Sequence, residues 1–195
     1  MEWTRKGFTL MEVIVTLALL AVIGTIVVLT GSPESPNDRQ RYAVVSDALW
    51  DIAKAIAGNE SHLTATSFRQ VIGVYPSKLS DLTKPITGAG KNICNVAYTT
   101  PAQTSLWLNP FYRREFLTAG TPLASGFTAQ DALVAVSVSP TTPGILAIRM
   151  PGTSLRDAQG LDLTVDGASN GASGIIRYAN TDPTSVDYYV TVTGC

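Results

Sequence analysis

Histidine is almost missing: His62 is the single imidazole in 195 residues. A Ser-His-Asp triad or a His-rich zinc site therefore has almost nothing to be built from. Lying in a polar stretch, His62 reads as a solvated side chain. Neither a phosphate loop, a dinucleotide fingerprint nor a CxxC pair occurs, which removes the usual signatures of nucleotide and redox chemistry. The 14 basic and 15 acidic residues give a net charge of −1. No basic patch or polycationic tail suggests nucleic acid. Charge is also absent from one long run. Between Val13 and Leu29 only Thr16, Gly24 and Thr25 interrupt the aliphatics.

Cysteine is scarce too, with Cys94 and Cys195 the only two. Both as reduced core thiols is one reading. Chain ends fray unless tied down, however, so a cysteine at the last position suits a tether better than a core. In a domain outside the cytoplasm the pair would form a disulfide. Closing a loop of about 100 residues is nominally worth about 4–5 kcal/mol in the chain-entropy account.

The apolar run dominates what is present. Phe8 to Thr30, as a helix, extends about 34 Å, enough to span a hydrocarbon core of about 30 Å. Arg5 and Lys6 before it resemble the charged start of a signal peptide. The run is too long for the usual apolar region of such a peptide, and Leu29-Thr30-Gly31 is a poor cleavage pattern. A plain membrane anchor is the other simple reading, and it leaves Glu12 unexplained. A charge at the centre of a membrane helix costs about 3 kcal/mol, less near the interface, and usually has a partner.

Lys6-Gly7-Phe8-Thr9-Leu10-Met11-Glu12, followed by about 20 apolar residues, resembles the N-terminal signal of type IV prepilins and type II secretion pseudopilins. The resemblance implies that a prepilin peptidase cuts between Gly7 and Phe8 and methylates the new amino group of Phe8. Residues 1–7 would be a cleaved leader kept in the cytoplasm, consistent with the positive-inside rule. Residues 8–30 would form the transmembrane and filament-core helix. Glu12 becomes the fifth residue after cleavage, about 6 Å along the helix from the new terminus. Paired with the terminal amine of a neighbouring subunit inside an apolar bundle, it would set the register of assembly.

Residues 31–36 (Gly-Ser-Pro-Glu-Ser-Pro) break the apolar helix, so a kink or linker is expected there. Residues 37–195 then form the globular pilin-like domain. In it, residues 37–57 read as an amphipathic helix, with Tyr42, Val45, Leu49, Ile52 and Ile56 at three-to-four spacing. Ser35 can cap it, Pro36 suits its first position, and Gly58 with Asn59 suits its end. Residues 60–130 read mostly as loops with short elements. The aromatic stretch Leu106 to Tyr112 reads as minor core covering the helix, with a carbohydrate or other ligand platform as the alternative.

Strands follow: Asp131–Val138 and Gly144–Met150 as a hairpin, then Ser173–Tyr178 and Val186–Thr193. In the last, Val186, Tyr188, Val190 and Val192 alternate with polar residues, predicting one buried and one wet face. The stretch between the second and third strands reads as a short helix and a loop. Cys195 would staple the sheet edge to the segment around Cys94. The expected class is α+β: a long N-terminal helix, kinked near 31–36, packed on a four-stranded or similar antiparallel sheet.

Asp162, Asp166, Asn170 and Asp182 bracket a glycine-rich loop and are weak candidates for calcium, a hard cation that takes oxygen ligands; no metal or other cofactor is assigned. No convergent catalytic set is present, so an enzyme is not expected. The resemblance implies a structural subunit of a type IV pilus-like filament. Its alternatives are a pseudopilin of a type II secretion system, or a minor tip pilin acting as a binding or adhesion module. The implied partners are copies of itself or other pilins, the prepilin peptidase and an inner-membrane assembly machinery. The implied location is the bacterial inner membrane before assembly, then a periplasmic or cell-surface filament.

Overall fold

The computed structural model describes residues 11, 13–16, 35–58, 67–138 and 143–194. The chain divides into two compact units, Met1–Ser35 and Pro36–Cys195. In the first unit, Met11 and residues 13–16 are helical. The rest of the expected long apolar helix, and most of the 31–36 linker, lie outside the described residues.

The second unit opens with helix α1, Pro36–Ala57. Proline is tolerated at the start because the first amides of a helix have no intrahelical acceptor. Gly58 ends it in a left-handed conformation, φ +84°, donating its amide to the Lys54 carbonyl at 2.8 Å. Tyr42, Val45, Leu49, Ile52 and Ile56 are all buried, so the apolar stripe is the core-facing one. A short helix α2, Phe68–Ile72, follows; Ser67 and Gln70 close a capping box at its start.

Among the described residues of this unit, six strands follow. Strands β1 (Thr121–Ala124) and β2 (Phe127–Ala129) form an antiparallel ribbon. Strands β3 (Val134–Ala135), β4 (Pro143–Thr153), β5 (Ile176–Tyr178) and β6 (Thr184–Thr193) form an antiparallel sheet in the order β3-β4-β6-β5. Helix α3, Leu155–Asp166, crosses from β4 towards β5, capped by Ser154 and ended by Gly167. The chain is thus α+β, with helices packed against antiparallel sheets.

On β6, Val186, Tyr188, Val190 and Val192 are buried while Ser185, Thr191 and Thr193 are exposed, which is the alternation expected of a half-covered strand. Across the other face, Arg149 of β4 stands opposite Asp187 of β6 and grips both of its oxygens at 2.7 Å. That bidentate pair satisfies the one carboxylate on the strand.

One expectation needs correcting. The strand expected over Asp131–Val138 shrinks to Val134–Ala135, because its first half pairs elsewhere. Leu79 donates to the Asp131 carbonyl and Leu133 to the Ser77 carbonyl, while the buried Asp131 carboxylate accepts from the Ser80 amide and hydroxyl. The β1–β2 ribbon is one of the short elements expected in the stretch 60–130. Its strand character is not specified there, because Pro122 and the Ser125-Gly126 turn interrupt two strands of only a few residues.

Helices α1 and α3 approach closely through one glycine. A β-carbon at Gly160 would lie 2.2 Å from Tyr42 Cε2 and 2.5 Å from its Cζ. The Tyr42 ring, 1% exposed, occupies the space a side chain would need.

Candidate functional site

Gly7, Phe8 and Glu12 all lie outside the described residues, as does His62. Their immediate neighbours are informative. Met11, Val13, Ile14 and Val15 are helical, and these apolar side chains are 46–71% exposed. The hydroxyl of Thr16 donates to the Val13 carbonyl at 2.9 Å. That bond satisfies the Thr16 hydroxyl within its own helix, as threonine does in apolar helices. Among the described residues no helix is long and apolar enough to cross a membrane.

In the second unit, Cys94 sits in a turn organised by Asn92. The Asn92 Oδ1 accepts from the amides of Cys94 at 2.9 Å and Val96 at 3.0 Å. Tyr75 links this turn to the end of β6: its carbonyl accepts from the Ile93 amide at 3.1 Å, and its hydroxyl accepts from the Thr193 amide at 3.1 Å. Cys195, two residues beyond Thr193, lies outside the described residues.

The four oxygen candidates separate into two places. Asp182 accepts from the amide of Leu155 at 3.1 Å, at the start of α3. Asp162 and Asp166 lie about 10 Å or more further along that helix. There the Asp162 Oδ2 accepts from the Asn170 amide at 2.7 Å, and the Asp166 Oδ2 from the amides of Ile175 and Ile176 at 2.8 and 2.9 Å. These carboxylates fold the loop after α3 back onto the helix. Burial pushes the Asp162 carboxyl above the usual carboxylate range; the Asn170 amide opposes this, and the nearby Asp166 carboxylate adds to it. Among the described residues no set of three or more acidic, histidine or cysteine side chains is placed to hold a metal ion.

Sequence reading missed two polar clusters, since their members are far apart in the chain. Arg41 of α1 donates to Asp157 of α3 and to the Ser125 carbonyl of the β1–β2 turn, and its guanidinium lies 5.8 Å from the Phe127 ring centre. Elsewhere the Asp81 carboxylate accepts from the Tyr98 hydroxyl at 2.9 Å. Burial pushes the Asp81 carboxyl up, with the Tyr98 hydrogen bond and Lys78 opposing and Asp131 reinforcing the shift. The signal available was weak: an acidic residue in a turn between two buried leucines, Leu79 and Leu82.

Among known families, a model of the prokaryotic N-terminal methylation motif matches residues 4–28. That motif is the signature of type IV pilins and pseudopilins, and it points to a structural protein of that kind rather than to an enzyme. No curated protein and no solved structure matches the chain.

Proposed function

We propose that a chain bearing this signature serves as a structural subunit of a type IV pilus-like filament. The observation that carries the reading is the match to the methylation motif over residues 4–28. In this reading a prepilin peptidase removes residues 1–7 and methylates Phe8. The apolar segment holds the subunit in the inner membrane until assembly machinery, driven by a separate ATPase, draws it into the filament. The exposed apolar side chains of Met11, Val13, Ile14 and Val15 support this, because they want either lipid or another helix.

Glu12 then acts as the register device. Its carboxylate meets the Phe8 amine of an adjacent subunit, and a subunit seated one step wrong leaves both charges unpaired in an apolar bundle. Cys94 and Cys195 pair as a disulfide that ties the end of β6 to the turn beside Tyr75. The two hydrogen bonds of Tyr75, which span the same gap, support that pairing.

Intact mass and N-terminal sequencing of protein from the native membrane test the processing step. A mature chain beginning at methylated Phe8 is expected, and one retaining Met1–Gly7 overturns the reading. The Glu12→Ala protein should insert and be cleaved normally yet enter filaments poorly. Unchanged filament yield with that variant as sole subunit would sink the register role.

A further inference from the structure

A groove of about 370 Å³ lies between α1 and the loop that precedes β1. Its lining includes Asp51 and Lys54 from the helix and Phe111, Tyr112, Arg113 and Arg114 from the loop. The volume falls at the lower end of small-ligand sites.

The aromatic part of the lining is held rigid from behind. Phe111 meets the buried Phe68 edge-on at 5.3 Å and Trp107 at 6.1 Å, while Tyr112 stacks on the buried Phe116 at 5.0 Å. Such fixed rings lose little entropy when something packs on them. The polar part is mixed in sign. Lys54 is ion-paired with Asp51 at 2.6 Å, and Arg114 donates to the Pro122 carbonyl. Arg113 is exposed and, among the described residues, has no ion pair or hydrogen bond. Burial, and after it the Asp51 carboxylate, push the Tyr112 phenol up, so it remains a neutral hydroxyl near neutral pH.

These features select a ligand chemistry. A planar guanidinium without a counter-ion matches one carboxylate in a bidentate fork. The Asp51 carboxylate, which only accepts, suits a neighbouring hydroxyl and repels a second negative charge. Rigid ring faces suit the apolar side of a sugar. A phosphodiester strand fits poorly, since it asks for a continuous cationic track and meets Asp51 instead. We propose that this groove binds a uronate-type sugar, a pyranose bearing a single carboxylate, with Arg113 on the carboxylate, Asp51 on ring hydroxyls and Tyr112 against the ring.

Saturation-transfer NMR on the full-length protein in detergent tests this with methyl α-D-galacturonide, its neutral counterpart methyl α-D-galactoside, acetate and a short oligothymidylate. The galacturonide should bind saturably and about tenfold more tightly than the galactoside, the effect of one charge-assisted bidentate contact. Arg113→Gln, on the surface and outside the core, should abolish that preference and leave circular dichroism unchanged. Asp51→Asn should weaken both sugars alike. Equal binding of the two sugars, a preference that survives Arg113→Gln, or acetate or the oligothymidylate binding as tightly as the galacturonide would each overturn the assignment. None of these outcomes depends on whether the chain is cleaved or polymerises.

Discussion

Replacing Gly160 by alanine adds one methyl group, and the structure says where it must go. The new β-carbon would sit 2.2 Å from Tyr42 Cε2, 2.5 Å from Cζ and 2.8 Å from the hydroxyl. Non-bonded carbons settle at about 3.5–4.0 Å, so the ring has to retreat by more than about 1 Å. It has nowhere to retreat to. Phe127 meets it edge-on at 6.1 Å between ring centres, and the hydroxyl hydrogen-bonds Asp157 Oδ1 at 3.2 Å. Overpacking of this kind costs about 1–3 kcal/mol, here towards the top of the range. Alanine in place of glycine inside a helix returns about 1 kcal/mol. The net expectation is a loss of about 2 kcal/mol, or about 4–8 °C in Tm for a unit of this size. Thermal unfolding followed by circular dichroism reads it directly. Tyr42→Ala, costly by itself, should open the space, so that Gly160→Ala on that background becomes neutral or stabilising. An unchanged or raised Tm for the single variant, or the same loss on both backgrounds, would refute the account of why a glycine stands there.

Two further perturbations follow from half-buried carboxylates. The Asp81 carboxyl is held above its unfolded value of about 3.9, so the folded state binds the proton more tightly. Its contribution to stability is full below that value and is lost as pH rises through the raised folded one. Asp81→Asn should therefore gain on the wild type as pH rises from about 4, the asparagine oxygen still accepting from Tyr98. Urea titrations at a series of pH values that stay parallel would contradict this. Asp166→Ala strips the acceptor from two backbone amides and should cost about 1–3 kcal/mol locally. Amide exchange should accelerate at Ile175 and Ile176, and unaltered protection at both would show that the carboxylate does not hold the loop.

Legibility in the sequence followed the range of the forces involved. The stripe on α1 and the alternation on β6 are periodic, and periodicity is local, so every residue assigned to those buried faces is buried. The methylation motif is contiguous, and its residues are readable for the same reason. The β1–β2 ribbon escaped notice because four residues and three are too few to show a period, and Pro122 argues against a strand. Asp131 reads as a strand residue until its carboxylate is seen on Ser80, 51 positions away. Of the groove, only Phe111 and Tyr112 were readable, within the aromatic stretch whose alternative reading is a ligand platform; the other side comes from residues 51–55, far away in the chain. The contact of Gly160 with Tyr42 leaves no trace in either segment alone.

Arg41 has a mechanical consequence. Tension transmitted along the backbone from Ser35 enters the second unit at the first turns of α1, a place where an unsupported helix would unwind residue by residue. Arg41 fastens that point to Asp157 on α3 and to the Ser125 carbonyl beyond β1, and Asp38, one turn earlier, holds Arg41 and Arg156 at 3.3 and 3.4 Å. The load is thus divided among several elements bearing it in parallel. For such an attachment to yield, several bonds must break at once, and a chain pulled from that end keeps its shape until they do.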